Sequence, residues 1–257
     1  MDIMNAANVS VSINGKDILQ EVNLAVPEGS VLSIIGPNGS GKTTLLRVLC
    51  RSMKPQQGVA AFRGKNIYRM GVREFAKEVA FLTQIHECPG DVQVQELVRY
   101  GRFAHKSWWK GGSGEDTEIV EWALERTGLV ELAERAMGTL SGGERQRAWI
   151  AMALAQKPKI LILDEPTTYL DISHQLEVLK LIKSLNEEEC ITVVMVLHDI
   201  NQAVGYSEYV TVLKEGKVFA SGRTEDTVNS GIISKVFGVN AQVVHYTPER
   251  KPVFHAD

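Results

Sequence analysis

Apolar residues fall into two rhythms along this chain, and the alternation between them lays out a fold. Four short runs are almost unbroken: Val31-Leu32-Ser33-Ile34-Ile35, Val79-Ala80-Phe81-Leu82, Ile160-Leu161-Ile162-Leu163 and the stretch from Ile191 to Leu197. Such runs predict strands covered on both faces, as in a parallel sheet. A fifth, Tyr209 to Leu213, is followed by Gly216 and predicts a hairpin into Lys217 to Ala220. Between the runs the steps lengthen to three and four residues. Ile172, Leu176, Leu179, Ile182 and Leu185 give the clearest case, an expected single apolar stripe on one helix. The alternation is that of an α/β protein with a parallel core sheet. Ligands of such open sheets sit beyond the carboxyl ends of the strands. Polar clusters stand at those ends here: glycines after Ile35, Thr83-Gln84 after Leu82, Asp164-Glu165 after Leu163, and His198-Asp199 after Leu197.

Two segments depart from the alternation. Val9 to Ile13, Asn14-Gly15 and Ile18 to Val26 predict an N-terminal antiparallel hairpin. Gln84 to Lys157 carries helical patterns alone, at Val92 to Tyr100, Asp116 to Thr127 and Glu144 to Ala155, and reads as an inserted helical subdomain. Within it the glycines of residues 106–114 predict a loop containing Trp108 and Trp109, with Asp116 as the candidate cap of the next helix. The expected plan is a core of residues 1–83 and 157–222 that includes the antiparallel hairpin, a helical subdomain of 84–156, and a tail of 223–257. A short helix is expected in the tail near Ile232 to Phe237.

Composition narrows the function. A chain of 257 residues that is 44% apolar and 23% charged is an ordinary folded protein. A formal charge of −3 supplies no general attraction to polyanions, so no nucleic-acid partner is expected. Cys50, Cys88 and Cys190 share no paired spacing and read as reduced thiols of the cytosol. The longest apolar stretches, Ala148 to Ala155 and Ile191 to Leu197, fall far short of the roughly 20 residues of a membrane span. Met1 to Asn5 has no basic region leading into an apolar core, so no secretion signal is expected.

Gly36-Pro37-Asn38-Gly39-Ser40-Gly41-Lys42-Thr43, followed by Thr44, matches the phosphate-loop pattern of Gly, four residues, then Gly-Lys-Ser/Thr. Glycines let successive backbone N–H groups face phosphate oxygens, and the helix that opens near Gly41 aims its positive end at the same point. Lys42 would reach the terminal phosphates and the Thr43 hydroxyl would ligate Mg²⁺. Two adjacent carboxylates at a strand end, Asp164 and Glu165, also suit a solvated turn. Beside a phosphate loop they suit hydrolysis, with Asp164 in the Mg²⁺ shell and Glu165 polarising the attacking water. Neither Asp-x-x-Gly nor Asn-Lys-x-Asp occurs, which leaves adenine or loose base selectivity.

Leu140-Ser141-Gly142-Gly143-Glu144-Arg145-Gln146-Arg147 resembles the signature motif of ATP-binding cassette (ABC) proteins. In physical terms it is a second anion site at a helix start, with a hydroxyl and N–H donors. The resemblance implies a homodimer of cassettes packed head to tail, each ATP enclosed by one copy's phosphate loop and the other copy's Ser141 to Glu144. It further implies that Gln84 contacts Mg²⁺ or the attacking water, that Asp171 is the acid of a loop crossing the dimer interface, and that His198 touches the γ-phosphate. Ile13 stands where many cassettes stack an aromatic residue on adenine, so only apolar contact is expected there. The resemblance covers about Val9 to Gly222.

Gly101-Arg102-Phe103-Ala104-His105, Pro166 to Ile172 and His198 to Ala203 look like the ATPases of importers for iron–siderophore complexes, haem and cobalamin. That likeness implies a peripheral subunit on the cytoplasmic face of the membrane, with two transmembrane permease subunits and a solute-binding protein that serves it indirectly. A permease helix is expected near Gln84 to Gln95. Trp108 and Trp109 belong either to that surface or to packing within the helical subdomain. A non-transport cassette acting on DNA or ribosomes is the other reading, but such proteins carry coiled-coil insertions or paired cassettes, and this sequence has neither.

Overall fold

The computed structural model describes residues 1–84, 88–105, 114–244 and 251–256. The chain divides into two compact units, one of Met1–Met70 with Thr192–Asp257 and one of Gly71–Ile191.

In the first unit, β1 (Asp2–Ile13) and β2 (Lys16–Pro27) form a hairpin around Asn14-Gly15. Both turn residues have positive φ, 52° and 77°, as a two-residue turn matched to strand twist requires. The antiparallel sheet runs β2-β1-β4-β5. It is completed by β4 (Gln57–Phe62) and β5 (Lys65–Asn66), joined at Arg63-Gly64. A second sheet begins with β3 (Val31–Ile35), whose end leads toward α1 (Lys42–Leu49). β3 lies between β8 (Thr192–Val196) and β9 (Tyr209–Lys214), parallel to both, and β10 (Lys217–Arg223) pairs antiparallel with β9. Every residue of β3 and β8 is buried, which is why their sequences read as unbroken apolar runs. Leu45, Leu46, Val48 and Leu49 bury one side of α1 completely. α7 (Ile200–Tyr206) is capped by Asp199, and α8 (Thr224–Thr227) and α9 (Ser230–Phe237) lead into the tail. The tail ends in an antiparallel pair, β11 (Ala241–Val244) with β12 (Val253–Ala256). Asn201 on α7 bonds the β12 backbone in both directions, accepting from Phe254 N at 2.8 Å and donating to Phe254 O at 3.1 Å.

The second unit contains α2 (Val72–Glu78), β6 (Val79–Leu82), α3 (Val94–Tyr100), α4 (Gly114–Arg126), α5 (Gly142–Ala155), β7 (Ile160–Asp164) and α6 (Ile172–Glu189). β6 and β7 are parallel, with Leu82 opposite Leu163. α5 packs against α3, α4 and α6. Around its C-terminal end, buried Arg102 donates from Nε to Asp116 Oδ1 at 2.7 Å and from Nη1 to Ala155 O at 2.9 Å. The backbone approaches closely beside it, since a Cβ on Gly101 would lie 2.0 Å from Met152 O.

Several expectations change. Asp116 does not cap α4; it lies within the first turn, where its carboxylate pairs with Arg102. The apolar stripe of α6 buries Val178, Leu179, Ile182 and Leu185, but Ile172 and Leu176 are exposed, because burial begins only at Val178, in the second turn of the helix. β1 starts seven residues before Val9, and β4, β5 and α2 add elements to the expected plan. Trp108 and Trp109, with the loop of residues 106–113, lie outside the described residues.

Candidate functional site

Each unit carries part of the chemistry. In the first, the chain leaves β3 and turns through residues 36–41 into α1. Gly36 has φ 152°, and a Cβ there would stand 2.1 Å from Leu213 O. Gly41, at φ 99°, would bring a Cβ within 2.7 Å of Leu19 Cδ2 and 2.9 Å of Ile18 O. Only glycine fits both places. Gly41 caps α1 without a side-chain bond, so the donors of the first turn are not consumed by a capping side chain. Lys42 is buried, and its Nζ donates to Gly36 O at 2.8 Å and Pro37 O at 3.0 Å, bracing the loop that it follows. Ser40 Oγ is buried and has no hydrogen-bond partner among the described residues. A buried hydroxyl left this way is costly unless something bonds it, and a phosphate oxygen fits the requirement. Asn38 and Gly39 form the exposed rim, and Thr43 and Thr44 are half-buried on α1.

His198 belongs to the same unit. Ile34 pairs with Val196, so Gly36 and His198 each follow their parallel strand by two residues beyond one register pair, and His198 is exposed. Ile13 ends β1 at the hairpin turn, 38% exposed.

The same register logic operates in the second unit. Gln84 and Glu165 each stand two residues past the pair Leu82–Leu163, and they meet: Gln84 Nε2 donates to Glu165 Oε2 at 2.5 Å. Thr168 Oγ1 donates to that oxygen at 3.1 Å. Glu165 has φ 54°, a left-handed kink immediately after the strand. Such strain is tolerated where a side chain must be aimed. Asp164, one residue earlier, is buried at the end of β7.

Ser141 caps α5 through a reciprocal pair, with Oγ accepting from Glu144 N at 3.3 Å and Glu144 Oε2 accepting from Ser141 N at 2.8 Å. The Ser141 N–H holds the Glu144 carboxyl below its usual range. The N–H groups of Gly142 and Gly143 in the first turn are not used by this cap. Asp171 caps α6. Its Oδ1 accepts from His174 N at 2.9 Å, Ser173 Oγ at 2.9 Å and His174 Nδ1 at 2.8 Å. The His174 backbone N–H is the main reason that the Asp171 carboxyl lies below its usual range. Thr168 and His174 were not singled out in the sequence. His174 stands three residues after a capping acid, and that spacing was its one visible signal.

The geometry therefore offers a phosphate cradle, a positioned carboxylate and a second anion-facing helix start. The sequence profile described as ABC transporter matches residues 19–168. The chain belongs to the ABC transporter family. It is 42% identical over 253 residues to the iron(3+)-hydroxamate import ATP-binding protein FhuC of Bacillus subtilis, covering 98% of this chain and 94% of that protein. Identity to the petrobactin import ATP-binding protein FpuC of Bacillus anthracis is 48%, over 92% of this chain and 86% of that protein. Among solved structures, an ABC transporter described as of the metal-chelate type, in an inward-facing conformation, aligns at TM-score 0.87 and 28% identity, over 99% of this chain and 97% of that one. A dimeric ATP-binding cassette in a post-hydrolysis state with ADP and Pi aligns at TM-score 0.73 and 31% identity, over 86% of this chain and 98% of that one. This ABC protein is thus an ATP-binding subunit that hydrolyses ATP to power transport. No helix among its described residues is long and apolar enough to cross a membrane.

Proposed function

We propose that this ABC ATPase drives the uptake of iron–siderophore complexes, working as a head-to-tail homodimer on the cytoplasmic face of the membrane beneath two permease subunits. A solute-binding protein would deliver the cargo from outside. Cargo assignment rests on the relatives' names, which specify iron(3+)-hydroxamate and petrobactin over more than nine-tenths of this chain. Haem and cobalamin, the other cargoes that the sequence suggested, have no such support. The core, helical subdomain and tail of residues 1–83 with 157–222, 84–156 and 223–257 are retained as the working division.

The observation that carries the catalytic reading is the bond from Gln84 to Glu165. A carboxylate at a strand end, fixed by an amide and a hydroxyl donor, is oriented to take a proton from the attacking water. The Gly36–Thr43 loop binds the β- and γ-phosphates through N–H groups, Ser40 Oγ and Lys42 Nζ. His198 contacts the γ-phosphate, and Ile13 gives adenine an apolar surface. Ser141, Gly142, Gly143 and Glu144 of one copy face the nucleotide held by the other, with Asp171 on the loop between copies. Thr43, Asp164 and Gln84 offer a hydroxyl, a buried carboxylate and an amide oxygen, a hard-donor set that suits Mg²⁺ bound mainly through phosphates and water. Bound there, the ion would neutralise charge on the phosphates.

Reconstitution tests this reading. With its permease and binding protein in vesicles and ATP on the cassette side, the complex should accumulate ferric hydroxamate or petrobactin, and Lys42→Ala should stop it. Accumulation of cobalamin or haem instead would overturn the cargo assignment; co-purification with ribosomes or DNA would overturn the transport reading.

A further inference from the structure

The second unit holds a contact that the proposed function does not use. The His174 ring covers Gly143: a Cβ on that glycine would lie 2.2 Å from His174 Cδ2 and 2.7 Å from Cγ. The same ring is tied to Asp171, whose Oδ1 is 2.8 Å from Nδ1. A carboxylate oxygen only accepts, so Nδ1 carries the proton and donates. His174 therefore touches the signature helix α5 with its ring edge and the loop acid with its ring nitrogen.

Neighbouring contacts extend the junction in both directions. Toward the loop, Leu170 Cδ2 would be 3.4 Å from a Cβ on Gly142. Four residues further along α5 and three further along α6, Arg147 Nη1 donates to Glu177 Oε2 at 2.8 Å. The spacing places Gly143 with Arg147, and His174 with Glu177, on facing sides of the two helices.

We propose that His174 is a positioning residue that locks the signature segment and the Asp171 loop into one body, so that both meet the opposite cassette in register when ATP is bound. This inference rests on the head-to-tail reading. Gly143 is glycine because the ring takes the space of a Cβ, and Nδ1–H adds a third donor, the one that ties the ring itself to Asp171, on an oxygen that the His174 N–H and the Ser173 hydroxyl also hold. Neither contact touches nucleotide within its own copy. Loss of His174 should therefore leave ATP affinity of the single chain alone and raise the ATP concentration needed for pairing.

The test uses the full chain carrying Glu165→Gln to suppress hydrolysis, with pairing followed by sedimentation against MgATP and single-chain affinity measured with a fluorescent ATP analogue. His174→Ala is expected to raise the midpoint for pairing by about tenfold, the usual cost of a lost hydrogen bond to a charged group, with affinity changed less than twofold. His174→Asn, whose amide nitrogen takes the place of Nδ1, should recover most of that loss. His174→Phe, which keeps a ring but lacks the donor, should not. Gly143→Ala should impair pairing by collision, and adding His174→Ala to it should restore part of the loss.

An unchanged midpoint in His174→Ala, with the parent pairing normally, overturns the inference and leaves the head-to-tail reading standing. Strict additivity of Gly143→Ala and His174→Ala does the same. A parent that stays single at saturating MgATP overturns the reading itself, and the inference with it.

Discussion

Gln84 Nε2 and Glu165 Oε2 are 2.5 Å apart although 81 residues separate them in the chain. Parallel pairing of β6 with β7 brings them together, since each side chain is the second beyond the Leu82–Leu163 pair. Glu165→Gln should preserve ATP binding and slow hydrolysis by about 10² to 10⁴, the range of general-base assistance. Gln84→Ala should be milder, lowering kcat by about tenfold with little change in KM, because it frees the carboxylate to rotate without removing it. Steady-state phosphate release measures both. Near-normal turnover of Glu165→Gln would take the base role away from this residue.

Lys42 both braces the phosphate loop and supplies its positive charge. Lys42→Ala should weaken ATP binding by about 10- to 100-fold, as expected for loss of charge-assisted hydrogen bonds. Gly36→Ala should act through the fold instead, because its Cβ would enter the Leu213 carbonyl at 2.1 Å. Isothermal titration and thermal melting separate the two: the lysine variant should lose far more in binding than in melting temperature, where only its two loop-bracing bonds are missed, and the glycine variant should melt early.

The elements and the strand-end chemistry were legible for different reasons. β3, β7 and β8 are buried on both faces, so their sequences had to be continuously apolar, and the glycine loop is a local pattern that needs no partner. β4 was less visible because only Ala60, Ala61 and Phe62 are buried in it, after an exposed Gln57-Gly58-Val59. α2 buries a single residue, Phe75, and so has no periodicity to read. Gln84 and Glu165 were each named from the sequence, yet their bond depends on register between β6 and β7. The His174 contact was hidden more deeply, because it joins the start of α5 to α6 and Gly143 gives no sign of what occupies its missing side chain.

Two pH windows should be separable in stability. Burial pushes the His105 imidazole below its usual value, while its Nε2 donates to Gln156 O at 2.9 Å. A base held neutral by the fold contributes fully above the unfolded value near 6.5, and that contribution declines as pH falls below it. Glu144 and Asp171 are acids with lowered values. Their contribution is complete above the ordinary carboxylate range near 4 and is lost as pH falls through their depressed values. Urea unfolding across pH should show the upper step vanish in His105→Gln, whose amide can still donate to Gln156, and the lower step shrink in Glu144→Gln.

Ser141→Ala removes the side chain that caps α5 and should cost about 1 kcal/mol of stability at neutral pH. Pairing of the Glu165→Gln chain should suffer more than stability does, because the same hydroxyl is assigned to the opposite copy's nucleotide. Denaturant midpoints read against sedimentation distinguish these losses.

Ile13, which we propose lies against adenine, has no π face. Ile13→Tyr should tighten ATP binding by about two- to tenfold, the worth of an aromatic stack, and leave tripolyphosphate binding unchanged. Equal gains for both ligands would show that the new ring acts elsewhere.

Gly41 abuts Ile18 and Leu19, and Gly216 abuts Ile18 from the other hairpin, so β2 forms a wall against which the anion-binding turn is pressed. Nucleotide held at the turn, as proposed, should then quieten the strand behind it. In deuterium-labelling experiments, amides around residues 18–20 should exchange more slowly when nucleotide is added, making an ordinary-looking hairpin a remote gauge of site occupancy.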